Sequence, residues 1–238
     1  MNRLAVRPQA AAVPAGRMKS TATFLGSSIG KKAVMAVTGL VLFGFVIGHM
    51  IGNLQIFLGP QALNDYAVFL REFLHGQGLW IVRAGLLLAV GLHVWAATSL
   101  TIGNWSARPV GYREWQARES TYASRTMVWS GPLLAVFIFY HLAHFTTGRA
   151  HPEFVEGDVF RNVVVGFQNP FVSAFYVLAM LALGLHMYHG VWSMLQSLGL
   201  DHPRWSSARR LFAAVVTALL VIGNISIPVA VLAGRVHL

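Results

Sequence analysis

The chain has 238 residues, 55% of them hydrophobic and only 11% charged, where a water-soluble domain of this size carries about 25% charged residues; lipid must be its main solvent. It contains no cysteine, which excludes disulfides, thiolate zinc sites, cysteine-ligated iron–sulfur clusters and covalently attached c-type haem. The net charge of +10 would suit nucleic acid, anionic lipid or membrane orientation, and only the placement of the basic residues distinguishes these.

Residues 1–25 read as a flexible tail, rich in Ala, Pro, Arg and Lys and without the apolar core and cleavage site of a secretory signal. Residues 26–238 form the membrane domain. Five apolar runs, 33–58, 79–103, 127–147, 170–198 and 211–233, are long enough to cross about 30 Å of hydrocarbon as helices. The only formally charged side chain inside them is Arg83, near the start of the second run, where it can snorkel to the interface. The fold expected is an all-α integral membrane protein of five transmembrane helices, the segments between them being loops. No glycine-rich nucleotide loop has the required strand–turn–helix setting; the glycines fall mainly in the spans, as at Gly48 and Gly52, where they permit close helix packing.

Lys and Arg settle the orientation. With the N-terminus inside, the inner segments hold Arg3, Arg7, Arg17, Lys19, Lys31, Lys32, Arg108, Arg113, Arg118, Arg125, Arg204, Arg209 and Arg210, leaving Arg71, Arg83, Arg149, Arg161 and Arg235 outside. The positive charge thus reads as topology, with the C-terminus outside, and needs no nucleic acid.

Six of the ten histidines fall within the first four spans: His49, His93, His141, His144, His186 and His189. One intramembrane histidine is readily an interhelical hydrogen-bonding residue, but six, with no intramembrane Asp or Glu as relay partner, point to iron in haem held by one imidazole on each side. Two ligands of one haem must sit at the same depth. At 1.5 Å per residue, His49 and His141 lie roughly 15 and 12 Å from the outer boundary, and His93 and His186 roughly 22 to 25 Å from it. Two stacked b haems follow, an outer one on His49 and His141 and an inner one on His93 and His186. His144 and His189 each follow a proposed ligand by three residues and fit by spacing alone; the layer match favours the first of each pair. The loop and terminal histidines His75, His151, His202 and His237 read as solvated.

The segments GKKAVMAVTGL and FVIGHMIGN in span one, LHVWAATS in span two, FIFYHLAHFTTG in span three and LHMYHGVWSMLQSLGL in span four carry a resemblance. The chain resembles the cytochrome b558-type, five-helix, di-haem membrane anchor of succinate:quinone oxidoreductase, the family of succinate dehydrogenase and fumarate reductase. The resemblance implies axial ligands at His49, His93, His141 and His186, in agreement with the depths. It also implies a flavoprotein and an iron–sulfur subunit docked on the inner face, in the bacterial cytoplasmic membrane, possible assembly of the complex into a higher oligomer, and electrons passing through the two haems to a quinone, usually menaquinone, reduced near the outer face. This subunit would transfer electrons and serve quinone reduction without touching the dicarboxylate.

By the same resemblance the quinone site borders the segment after span one, with Asn64, Asp65, Tyr66, Arg71 and Glu72 as candidates and Asp65 or Glu72 as proton source; His144 is a further candidate. Haem propionates need cationic or hydroxyl partners, for which Ser28, Lys31, Lys32, Arg125 and His189 are placed by topology. Trp129 and Trp192 are candidates to pack on the porphyrins or to anchor at the interface. Some family members carry a glutamate just before the span-four ligand; Leu183, Gly184 and Leu185 stand there in this chain. The alternative reading is the cytochrome b subunit of another respiratory oxidoreductase, of formate dehydrogenase or hydrogenase type, or a b561-like electron carrier.

Overall fold

The computed structural model describes residues 21–107 and 121–238. Most of the expected N-terminal tail, and Arg108, Arg113 and Arg118 of the expected inner basic segment, lie outside the described residues. Among the described residues eight α-helices follow in order: α1 (Thr21–Gly26), α2 (Ser28–Asn53), α3 (Pro60–Glu72), α4 (Gln77–Ser106), α5 (Tyr122–Phe145), α6 (Val159–Gln168), α7 (Pro170–Ser197) and α8 (Ser206–Leu232). No strand occurs among the described residues. Helices α2, α4, α5, α7 and α8 are each long and apolar enough to span a membrane, and they cover the five runs expected from hydropathy.

Local chemistry sets the helix starts. The Ser27 hydroxyl accepts from the Gly30 N–H at 3.0 Å and the Thr121 hydroxyl from the Ser124 N–H at 3.1 Å, each satisfying a first-turn donor that the helix itself leaves open. Asn169 caps α7 through the Phe171 N–H at 2.9 Å, with Pro170 at the first helical position, where its missing N–H costs nothing.

Residues 59–78, expected to be a loop, hold a 13-residue amphipathic helix, α3. It is too short to cross a bilayer, and its polar and charged residues, Gln61, Asn64, Asp65, Arg71 and Glu72, give it the composition of a loop. The reversal into α4 runs through three consecutive left-handed residues, Leu74, His75 and Gly76. Helix α6 is the matching element between α5 and α7, and α3 packs on α6. Asn64 joins them: its amide donates to the Asp158 carboxylate at 3.0 Å and its carbonyl oxygen accepts from the Phe160 N–H at 3.0 Å.

Exposure is inverted relative to a soluble protein. Trp80, Leu87, Trp129, Phe139 and Leu219 all face outward, as lipid-facing side chains of a spanning bundle do. Helix α7 is central, packing on α2, α5 and α8, while α4 packs chiefly on α2. The main core lies at the end that carries α3 and α6, around Leu63, Phe137, Phe160, Val164, Phe167, Tyr176 and Met180.

Paired histidines between helices that do not pack

His49 sits near the end of α2 and His141 near the end of α5, both toward the α3/α6 end. His93 and His186 each lie about 16 residues, roughly 24 Å at 1.5 Å per residue, beyond the first residues of α4 and α7. The ring centres of His49 and His141 are 5.8 Å apart with their planes at 86°; those of His93 and His186 are 6.3 Å apart at 56°. Neither α2 with α5 nor α4 with α7 is among the closely packed helix pairs. Each imidazole pair therefore bridges a slot between helices whose backbones stand apart.

The second ring nitrogen of three of these histidines is held. The Thr38 hydroxyl lies 3.1 Å from His93 Nδ1, and the Ser130 hydroxyl 3.3 Å from His186 Nδ1. The Tyr176 hydroxyl lies 3.3 Å from His141 Nδ1 and 3.0 Å from His144 Nδ1. A partner at Nδ1 fixes ring orientation and directs Nε2, the usual metal-binding nitrogen, the other way. His49 makes no side-chain hydrogen bond among the described residues and instead stacks on Phe45, ring centres 5.3 Å apart at 16°.

Two imidazoles on opposite sides of one metal, with bonds of about 2 Å, have ring centres roughly 6 Å apart. Among the described residues no group of three or more His, Asp or Glu is arranged to hold a bare metal ion. Paired imidazoles across an open slot thus suit a metal that brings its own equatorial nitrogens, as haem does. These residues fit that group.

The remaining expected site residues separate by position. His144 is fully buried, bonded to Tyr176 and stacked on His151 at 5.1 Å. A Cβ on Gly166 would lie 3.0 Å from its Nε2, so this histidine is closed in by α6. His151 corrects the expectation of a solvated loop residue: it is 8% exposed, its Nε2–H donating to the Asn162 carbonyl at 2.8 Å while Nδ1 accepts from the Glu153 N–H at 3.1 Å. The loop folds back under α6, whose Asn162 side chain bonds both backbone groups of Val155. On α3, Asn64 is engaged with α6 and Tyr66 is half-buried against Gly52, whereas Asp65, Arg71 and Glu72 are exposed. The Asp65 carboxylate accepts from Gln61 at 2.9 Å.

At the opposite end stand Ser28, Lys31 and Lys32 in the first turn of α2, Arg125 in the first turn of α5, and His189 in the last turns of α7. A cleft there is lined by Thr121, Tyr188, His189, Trp192 and Arg210. His189 Nδ1 and Trp192 Nε1 are buried without a partner, and the Arg210 guanidinium lies 5.5 Å from the Trp192 ring centre. Trp129, by contrast, is 79% exposed and points away from the bundle. Sequence patterns did not single out Thr38, Ser130 and Tyr176, although a spacing marks two of them: Thr38 precedes His49, and Ser130 precedes His141, by the same three helical turns.

The fold defines an all-helical membrane protein with five spanning helices among the described residues and two imidazole pairs set in slots between them. Residues 106–223, just under half of the chain, match the family model described as succinate dehydrogenase/fumarate reductase transmembrane subunit, a match that supports a membrane anchor subunit of that family. No curated protein and no solved structure matches the chain. The matched residues include His141 and His186; His49 and His93 lie before them and meet them across the bundle.

Proposed function

We propose that this membrane subunit holds two b haems, one between His49 and His141 and one between His93 and His186, and passes electrons from an iron–sulfur partner to a quinone. The observation that carries this reading is the opposition of two imidazole pairs at two depths, each across an unpacked slot and three of the four rings held at Nδ1. Bound haem would supply the one-electron steps; the chain's own residues orient the imidazoles and exclude water.

The basic residues favour the α3/α6 end as the outer one and the opposite end as the inner one, in a bacterial cytoplasmic membrane. The flavoprotein and iron–sulfur subunits would dock on the inner face, where Arg204, Arg209 and Arg210 stand. The inner cleft, with its two unpartnered N–H-bearing rings and Arg210, suits a carboxylate such as an inner-haem propionate; His189 lines it, and Ser28, Lys31, Lys32 and Arg125 lie at the same end. Quinone, of the menaquinone type, would be reduced at the outer end, with the exposed carboxylates Asp65 and Glu72 as routes for protons from water. Asn64 and Tyr66 would shape that end through packing, and Arg71 flanks it.

The deciding experiment is purification from membranes with partners attached. The expected result is a low-spin b-type spectrum with two haems per chain and co-purification of a flavoprotein and an iron–sulfur protein. A stable, colourless complex would exclude the haem assignment, and a molybdenum or nickel subunit would exclude the succinate or fumarate partner.

A further inference from the structure

The two histidine layers are not supported alike. In the inner layer each imidazole has its own hydroxyl, Thr38 for His93 and Ser130 for His186. In the outer layer one phenol serves two imidazoles, His141 and His144, and the third, His49, has none. Tyr176 is buried and wedged edge-on against Phe167 at 4.9 Å and Phe137 at 5.0 Å, so its hydroxyl cannot swing to another partner.

A phenol has one proton to donate. A histidine that binds metal through Nε2 carries its proton on Nδ1, so His141 must donate to the Tyr176 oxygen. The Tyr176 proton then goes to the only other acceptor in reach among the described residues, His144 Nδ1. That leaves His144 with its proton on Nε2, the atom closed in by Gly166 and lacking a partner. The chain of bonds runs one way, from His141 through Tyr176 to His144, and donation from the phenol makes its oxygen a better acceptor for His141.

We propose that Tyr176 is a positioning residue for the outer haem: through a hydroxyl polarised by His144 it locks His141 in the Nδ1-protonated tautomer and draws on that proton, strengthening the ligand and favouring ferric over ferrous iron. The inference rests on the di-haem reading above and adds that the outer potential is set by a two-bond chain outside the ligand sphere. In the inner layer no hydroxyl is shared between two imidazoles: Thr38 gives its own proton to the Val34 carbonyl oxygen at 2.7 Å, so the chain from His93 ends on helix backbone rather than on a second imidazole, and Ser130 contacts His186 alone.

The test is a redox titration of both haems in the purified complex, the outer haem being assigned as the one missing from His141→Ala. Tyr176→Phe, which keeps the ring and its packing, is expected to raise the ferrous-to-ferric ratio of the outer haem about fivefold at fixed ambient potential, the worth of one net hydrogen bond, and to leave the inner haem unmoved. His144→Leu, with Tyr176 intact, should shift the same haem in the same direction by less, and His144→Asn, whose amide oxygen can accept the phenol proton, should restore it toward wild type. Ser130→Ala should move only the inner haem. Unchanged potentials in Tyr176→Phe, or equal shifts of both haems, would overturn the proposal while leaving the di-haem reading standing. Should Tyr176→Phe fail to assemble, identical outer potentials in the two His144 variants would overturn it equally. Absence of haem from the wild-type complex would instead defeat the reading on which it rests.

Discussion

The His49/His141 layer and the His93/His186 layer share one geometry in two different environments. The first lies in the aromatic core at the α3/α6 end, where Phe137, Phe145 and Tyr176 pack on His141 and His144 and Phe167 backs Tyr176. The second has little aromatic support and is held by two small hydroxyl residues at the helix interfaces, both buried, Thr38 and Ser130. Dense packing fixes a side chain through many weak contacts, whereas a hydroxyl fixes it through one directional bond. The lesson is that a ring can be oriented by either means, and that the two layers should fail differently when perturbed.

The largest expected effect is removal of a ligand. His141→Ala and His186→Ala should each lose one haem and keep the other, halving the haem-to-protein ratio measured by the pyridine haemochrome; loss of both from either variant would show that the layers assemble as one unit. Next, Gly166→Ala puts a Cβ 2.9 Å from His144 Cε1 and 3.1 Å from Phe145 Cε1. Overpacking of this kind costs about 1–3 kcal/mol, and heat should release the outer haem earlier while the inner one is retained. Thr38→Val keeps the shape and removes the His93 partner. A lost outer-shell bond weakens metal-site affinity by roughly tenfold or more, readable as faster inner-haem loss to a haem acceptor, with the outer rate unchanged. The smallest effect belongs to Trp129→Leu on the lipid face, expected to change thermal stability by no more than about 0.5 kcal/mol and to leave both haem spectra as they are. A spectral change there would mean that Trp129 packs inward.

The two layers also expose an internal likeness that single residues conceal. Helices α2, α3 and α4 form a span, a surface helix and a returning span, and α5, α6 and α7 repeat that order. In each unit a hydroxyl residue on the first span holds a histidine on the returning span that packs on it, Thr38 with His93 and Ser130 with His186. The likeness breaks at Tyr176, ten residues before His186: the corresponding place before His93 is Arg83, whose guanidinium lies 5.0 Å from the Trp80 ring centre. This difference makes the His49/His141 layer asymmetric, with a bonded imidazole on one side and a ring-stacked one on the other.

Much of this protein is written in residue type and spacing, because lipid imposes a one-dimensional rule: every spanning backbone group must be satisfied within its own helix, so about 20 apolar residues suffice to mark a span. The same rule, with a fixed rise per residue, makes depth readable, and depth sorts the intramembrane histidines into an outer layer with His49 and His141 and an inner layer with His93 and His186. What depth cannot convey is rotation about the helix axis and contact between distant elements. Only the packed bundle brings Thr38, Ser130 and Tyr176 to the imidazoles, buries His151 under α6, and turns Asn64 from a loop residue into the joint between two surface helices. Those outcomes depend on side chains meeting across different helices at hydrogen-bond range, a condition set by three-dimensional packing and by no local pattern.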